Sequence, residues 1–176
     1  LYYQQLARKI MGRKAIYILL TISILITGAC GRVYDGPLKI AFISSRDGNP
    51  HVYVMTEDGS NQVRASNGIN SDTEPSFSPD GVLIAYNNSD TTDQIYLVNA
   101  DGSGEHNISN MAEIHTNPTW SPDGEKIVFH RDIDNELYIM NKDGSSKTVL
   151  TSSGLTKTYP TWAPDGKKIA YIESGD

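Results

Sequence analysis

A seven-residue sequence, Pro-Ser/Thr-Phe/Trp-Ser/Ala-Pro-Asp-Gly, occurs three times in this chain, at residues 75–81, 118–124 and 160–166. Successive copies are 43 and 42 positions apart, and an Asp-Gly pair recurs with the same spacing at residues 58–59, 101–102 and 143–144. A fixed period of about 40–45 residues is typical of propeller blades and solenoid arrays. The chain is therefore expected to fold as a row of similar units.

Short runs of β-branched and aromatic residues lie between these turns. One run begins at residues 40, 84, 127 and 169, and a second, containing a tyrosine, begins at residues 52, 95 and 137. Such runs, bounded by Gly, Asp, Asn and Ser, indicate strands, and their apolar character on both faces indicates burial on both sides. The Ser-Pro-Asp-Gly turn predicts a hairpin with a left-handed glycine. The unit is thus predicted to be a blade of four antiparallel strands, a to d, with the Phe or Trp of strand a packed between blades.

The repeated box, the Ile-Ala-Phe/Tyr strand and the Tyr-containing strand before Asp-Gly-Ser resemble the β-propeller repeat of the TolB family. The resemblance covers most of the chain and implies an all-β propeller that works in the bacterial cell envelope by binding other proteins. The predicted blades occupy about residues 38–66, 75–109, 118–152 and 160–176. The first lacks strand a and the last ends after strand b. Because the smallest propellers have about four blades, three and a half blades predict a fragment of a larger propeller; assembly of two chains into one ring is the alternative.

The N-terminal region has the composition of a targeting segment. Residues 11–14 include the basic pair Arg13-Lys14, residues 15–29 carry no charge, and Cys30 follows Gly28-Ala29. A spanning helix needs about 20 apolar residues, so the pattern favours a signal peptide over residues 11–30. Cys30 resembles the acylated cysteine of a bacterial lipobox, which predicts a lipid-anchored protein in the periplasm or at the outer membrane. An ordinary signal peptide and a membrane anchor are the alternatives. Residues 1–10 are expected to be a non-native upstream extension and residues 31–37 a linker.

Charge and motifs exclude several classes of function. The net charge is −6, and all five basic residues of the first 34 lie outside the predicted propeller, which is therefore strongly acidic. Nucleic-acid binding needs Lys and Arg at phosphates, so we expect none. The chain has no Gly-x-Ser-x-Gly elbow, no phosphate-binding loop and no recognisable metal-ligand spacing. We therefore predict no enzyme activity, cofactor or metal. The alternative is the propeller of an enzyme, either a prolyl-oligopeptidase-type peptidase gate or an oligogalacturonate-lyase-like protein.

Residues just before each box proline vary in chemistry while the box itself stays constant. Because loops on a rigid scaffold commonly carry binding residues, the segments entering strand a are predicted to form a partner-binding rim. The alternative is ordinary solvated loop polarity. The partner that the TolB resemblance implies is an envelope protein or a peptidoglycan-associated lipoprotein. The predicted rim residues are Asp72, Glu74, His115, Asn117, Lys157 and Tyr159.

Overall fold

A computed structural model of the protein describes residues 37–89 and 92–175, together with the backbone of Ser23–Ile24. All regular structure in these residues is β-strand, arranged in three four-stranded antiparallel sheets and one two-stranded sheet. The described residues contain no helix long and apolar enough to cross a membrane. The predicted all-β class with four-stranded blades is confirmed.

Each sheet corresponds to one repeat and is called a blade here. Within a blade, strands a, b, c and d pair in sequence order. The strands of blade 1 are β1 (Ser23–Ile24), β2 (Lys39–Ser44), β3 (His51–Thr56) and β4 (Val63–Arg64). Those of blade 2 are β5 (Ser71–Phe77), β6 (Leu83–Ser89), β7 (Asp93–Asn99) and β8 (His106–Asn107). Those of blade 3 are β9 (His115–Trp120), β10 (Lys126–Arg131), β11 (Glu136–Asn141) and β12 (Thr148–Val149). Blade 4 consists of β13 (Thr156–Trp162) and β14 (Ile169–Ser174).

Blade 1 differs from the prediction at its inner position. The two residues of β1 pair antiparallel with Ile40 and Ala41 of β2, so this blade has a short strand a where none was expected. The strand lies within the segment predicted to be a signal peptide. Cys30, the predicted linker up to residue 36 and the predicted upstream extension lie outside the described residues, and they stay predictions.

The two turns of the repeat have the predicted backbone geometry. In blade 3, the amide of Gly124 donates to the carbonyl of Ser121, and Gly124 adopts a φ of +72°. The glycine of the second turn, Gly144, donates to the carbonyl of Asn141 at a φ of +82°. Glycine is favoured there because a Cβ strains this left-handed conformation. The turns therefore fix where strands a and b, and strands c and d, meet.

The hydrophobic core lies between adjacent blades. Phe77 of blade 2 packs into one buried cluster with Ala41 and Val52 of blade 1. Trp120 of blade 3 packs into a second cluster with Ala85 and Ile95 of blade 2. Strand a of one blade lies against strands a, b and c of the preceding blade, whereas strand d pairs only with strand c at the outer side. The predicted packing role of the strand a aromatics is confirmed for these two residues.

Candidate binding rim and blade seams

The six predicted rim residues lie within strands, not in loops. Strand a begins at Ser71, His115 and Thr156, several residues upstream of the box proline from which it was predicted to start. Each strand a then carries a register shift, a β-bulge, next to that proline. A β-bulge bends a strand and redirects its side chains. The predicted location of these residues in loops is therefore wrong: they form two repeated positions on the inner strands.

Three of the six residues occupy the bulge itself. Glu74, Asn117 and Tyr159 have φ values of +54°, +56° and +52°, so the same left-handed backbone carries three different side chains. Tyr159 is 61% exposed, and Glu74 and Asn117 are partly buried. Non-glycine residues in this conformation are uncommon and cluster at functional sites. We call these three the bulge residues.

The bulge residues also connect neighbouring blades. One carboxylate oxygen of Glu74, Oε2, accepts a hydrogen bond from the backbone amide of Asn117 at 2.8 Å. The same oxygen accepts from the side-chain amide of Asn87 at 2.7 Å. Because both donors are fixed by strands, the carboxylate is held in one position on the inner surface. The backbone at this rim is therefore well ordered by contacts within the protein.

The other three predicted residues, Asp72, His115 and Lys157, are fully buried. They occupy one equivalent position of strand a and face the preceding blade. Asp72 accepts three hydrogen bonds: Oδ2 accepts from Ser66 at 2.6 Å and from His51 Nδ1 at 2.8 Å, and Oδ1 accepts from Asn88 at 2.8 Å. A buried carboxylate needs such donors, because an unpaired buried charge is very costly. Asp72 therefore joins blade 2 to blade 1 and is not available to a partner.

Between blades 3 and 4 the charges are reversed, because the strand a residue is the basic Lys157 and its partners are acidic. Its Nζ lies 2.9 Å from Glu136 Oε2 and 3.8 Å from Glu173 Oε2, and it donates to the carbonyl of Leu155 at 2.6 Å. Burial acts to raise the pKa of Glu136, but hydrogen bonds from Thr151 and Lys157 outweigh it and hold that pKa below its usual value. The seam between these two blades thus contains a buried ion pair.

His115 occupies the same position between blades 2 and 3 without a charged partner. Its ring packs edge-on against Phe129 at 5.3 Å, and neither ring nitrogen has a hydrogen-bond partner among the described residues. Burial lowers the pKa of His115 to about 4; Glu113 opposes the shift and Arg131 adds to it. The imidazole is therefore neutral at neutral pH.

Two features of the seams were not anticipated from the sequence. The first is a set of strand c residues that come directly before the predicted strand c runs and whose seam contacts the sequence does not predict: His51, Gln94 and Glu136. Gly144 is also close to the neighbouring blade: a Cβ built on it would lie 2.3 Å from the carbonyl oxygen of Ile108. The matching repeat positions could have indicated the first feature, whereas the second depends on the distance between blades. Within the described residues, no three His, Cys, Asp or Glu side chains gather closely enough to hold a metal ion.

Comparison with known proteins gives a consistent result. The family model described as the TolB β-propeller domain matches residues 34–176. A protein provisionally identified as TolB from Agrobacterium tumefaciens is similar in structure, with a TM-score of 0.68, 25% identity, and coverage of 89% of this chain and 60% of that one. TolB from Acinetobacter baumannii has a TM-score of 0.67 at 26% identity, covering 76% of this chain and 34% of that one.

A further match shows the fold alone. A chain of a nidogen/laminin complex has a TM-score of 0.63 at 11% identity, covering 77% of this chain and 52% of that one. A search of the curated proteins found no significant match. Because this chain covers 60% and 34% of the two TolB structures, it spans less than two thirds of the length of either.

Proposed function

Because this chain belongs to the TolB β-propeller domain family, we propose that it is a non-catalytic binding scaffold of the cell envelope. Its partner is another envelope protein, and a peptidoglycan-associated lipoprotein is the first candidate. The observation that carries this proposal is the set of bulge residues, in which one repeated backbone conformation presents a carboxylate, an amide and an exposed phenol. A rigid scaffold with varied side chains is suited to recognition, because little ordering is needed on binding.

The six-residue rim of the sequence prediction is reduced to three in this proposal. Asp72, His115 and Lys157 are buried between blades, so contact with a partner is assigned to the bulge residues. Tyr159 is the principal contact, because it is the most exposed of the three. Tyrosine is enriched at binding hot spots, where truncation commonly costs about 2 kcal/mol or more.

The binding proposal is tested by site-specific photo-crosslinking in cells. A photoreactive amino acid replaces Tyr159 in one strain and Val149 in a second strain. Val149 is a matched control, since it is 52% exposed but lies on the outer strand of blade 3. We expect a discrete crosslinked envelope protein from position 159 only, and its loss when unlabelled protein competes. Equal crosslinking from both positions would contradict a specific rim.

Export and lipid anchoring form the second part of the proposal. They rest on the basic, apolar and small-residue pattern that ends at Cys30. Acylation with two or more chains would give stable membrane attachment, because each buried methylene contributes about 0.8 kcal/mol and a single chain is not enough. Wild-type protein should take up labelled fatty acid and fractionate with membranes, and Cys30→Ala should do neither. An unlabelled wild-type protein would exclude the lipoprotein while leaving the binding proposal intact.

A further inference from the structure

The seams between blades share one arrangement of polar side chains. In each seam, the buried strand a residue pairs in register with a strand b residue of its own blade. In the first and third seams it also contacts a strand c residue of the preceding blade, His51 or Glu136. A serine or threonine hydroxyl after strand d accepts a hydrogen bond from the backbone amide of the first residue of the strand c run: Ser66 from Val52, Ser109 from Ile95 and Thr151 from Leu137. The backbone frame is therefore the same in all three seams.

The chemistry of the seams, in contrast, differs from one to the next. In the seam of blades 1 and 2, the strand a residue is the anion Asp72, and its neighbours His51 and Asn88 both donate to it. In the seam of blades 3 and 4, the strand a residue is the cation Lys157, and its neighbours Glu136 and Glu173 are both carboxylates. The neighbours thus change together with the sign of the central residue.

The middle seam is different again. Its strand a residue is His115, and the strand c residue at the position equivalent to His51 and Glu136 is the neutral Gln94. Gln94 Oε1 accepts from Ser109 at 2.7 Å, and Gln94 Nε2 donates to the carbonyl of Glu113 at 2.7 Å. The strand b residue Arg131 turns away to Asp134, with 2.5 Å between Nη2 and Oδ2. No ion pair crosses this seam through these residues.

We propose that these seam residues determine which blade docks on which, so that nearly identical repeats assemble in one order. Placing the strand c face of blade 3 on the inner strand of blade 2 would bury Glu136 against Asp72. Placing the strand c face of blade 1 on blade 4 would remove the Glu136 carboxylate from Lys157 and put the imidazole of His51 in its place. Specificity between similar surfaces commonly requires such repulsive pairings as well as attractive ones. The seam residues therefore act against misordered propellers and against exchange of blades with a second copy of the chain.

The test makes the two charged seams alike and then makes them different again. His51→Glu with Asp72→Lys gives both seams a carboxylate on strand c and an ammonium on strand a. Glu136→Lys, Lys157→Glu and Glu173→Lys together give both seams the opposite polarity. The combined variant carries all five changes, and its two seams are again unlike. A control reverses the exposed pair Lys142 and Glu125, which are 2.9 Å apart within blade 3.

Each full chain is unfolded in denaturant and refolded at several concentrations, and the fraction of dimers and larger species is measured by size-exclusion chromatography with light scattering. We expect each variant with like seams to form at least about three times more of these species than wild type, a change of roughly 0.7 kcal/mol in docking preference. The combined variant should return close to the wild-type fraction, and the Lys142/Glu125 control should not differ from wild type.

Rescue by combination is the decisive result, because losses of stability at distant seams would simply add. A combined variant that misassembles as much as its two parents together overturns the proposal. So does a wild-type level of misassembly in both parents. If the parents fail to fold, recovery of folded monomer in the combined variant supports the proposal, and its failure to recover overturns it.

Discussion

Replacing Gly144 by alanine tests how closely the blades must approach each other. Gly144 combines a φ of +82° with a Cβ position only 2.3 Å from the carbonyl oxygen of Ile108 in the preceding blade. Gly154 has a similar φ of +73° but nothing within 4 Å of its Cβ position. The two glycines therefore separate the effect of backbone conformation from the effect of the contact between blades.

The expected loss of stability follows from two contributions. A left-handed alanine costs about 1–2 kcal/mol, and part of this is offset because alanine restricts the unfolded chain by about 0.4–1 kcal/mol. Gly154→Ala should therefore destabilise the protein by about 1 kcal/mol. In Gly144→Ala the blades must also move apart to relieve the overlap, and overpacking of this kind costs a further 1–3 kcal/mol or so. The total for Gly144→Ala is about 2–4 kcal/mol.

Urea denaturation of the two variants, followed by tryptophan fluorescence, measures both losses. Gly102→Ala provides an intermediate case, since its Cβ position is 3.3 Å from the carbonyl oxygen of Ala65. We expect the losses to increase in the order Gly154, Gly102, Gly144. Equal losses at Gly154 and Gly144 would show that the positive φ alone accounts for the cost of alanine at position 144. That result would refute the close approach of blades 2 and 3 at this turn.

Two further predictions concern single seams. Because the pKa of His115 falls from 6.5 in the unfolded chain to about 4 in the fold, the unfolded state binds the proton first, and stability should decline by up to about 3 kcal/mol as the pH falls from 6.5 to 4. His115→Gln should flatten this part of the curve of unfolding free energy against pH, and an unchanged slope would contradict the buried neutral imidazole. Trp120 Nε1 donates to the carbonyl of Ser76 at 3.1 Å, whereas Trp162 Nε1 has no partner in the part of the chain that the structure describes. Trp120→Phe should therefore lower the free energy of unfolding by about 1 kcal/mol more than Trp162→Phe. Losses of the same size in denaturant titrations would argue against that bond.

The sequence was sufficient to predict the blade because its signals are local. The Ser-Pro-Asp-Gly turn and the apolar runs on either side of it fix strands a, b and c within about 25 residues. The position of Trp120 between blades follows from the same pattern, since an aromatic residue repeated at one strand position needs a neighbouring surface to cover it.

The start of strand a could not be predicted in the same way. The sequence Ser-Asp-Thr-Glu at residues 71–74 is polar and contains poor strand formers, which led to its interpretation as a loop. In the structure Asp72 is buried by donors from His51, 21 positions earlier, and from Asn88, 16 positions later. The contact with His51 arises only when blades 1 and 2 dock, so a single repeat does not reveal it.

The bulge residues connect these observations to function. Their φ values agree within a few degrees although their side chains are a carboxylate, an amide and a phenol. The side chain therefore does not determine the backbone conformation, which is set by the strand register and by contacts between blades. A backbone fixed by the scaffold can present different side chains at the same position, and this is the property a recognition surface needs. The buried strand a position of Asp72 and Lys157 is more constrained. A change of charge there requires matching changes on strand c of the preceding blade and on strand b of the same blade. In the functions proposed here, the inner strands separate two tasks: their buried residues secure the order of the blades, and their bulge residues contact a partner.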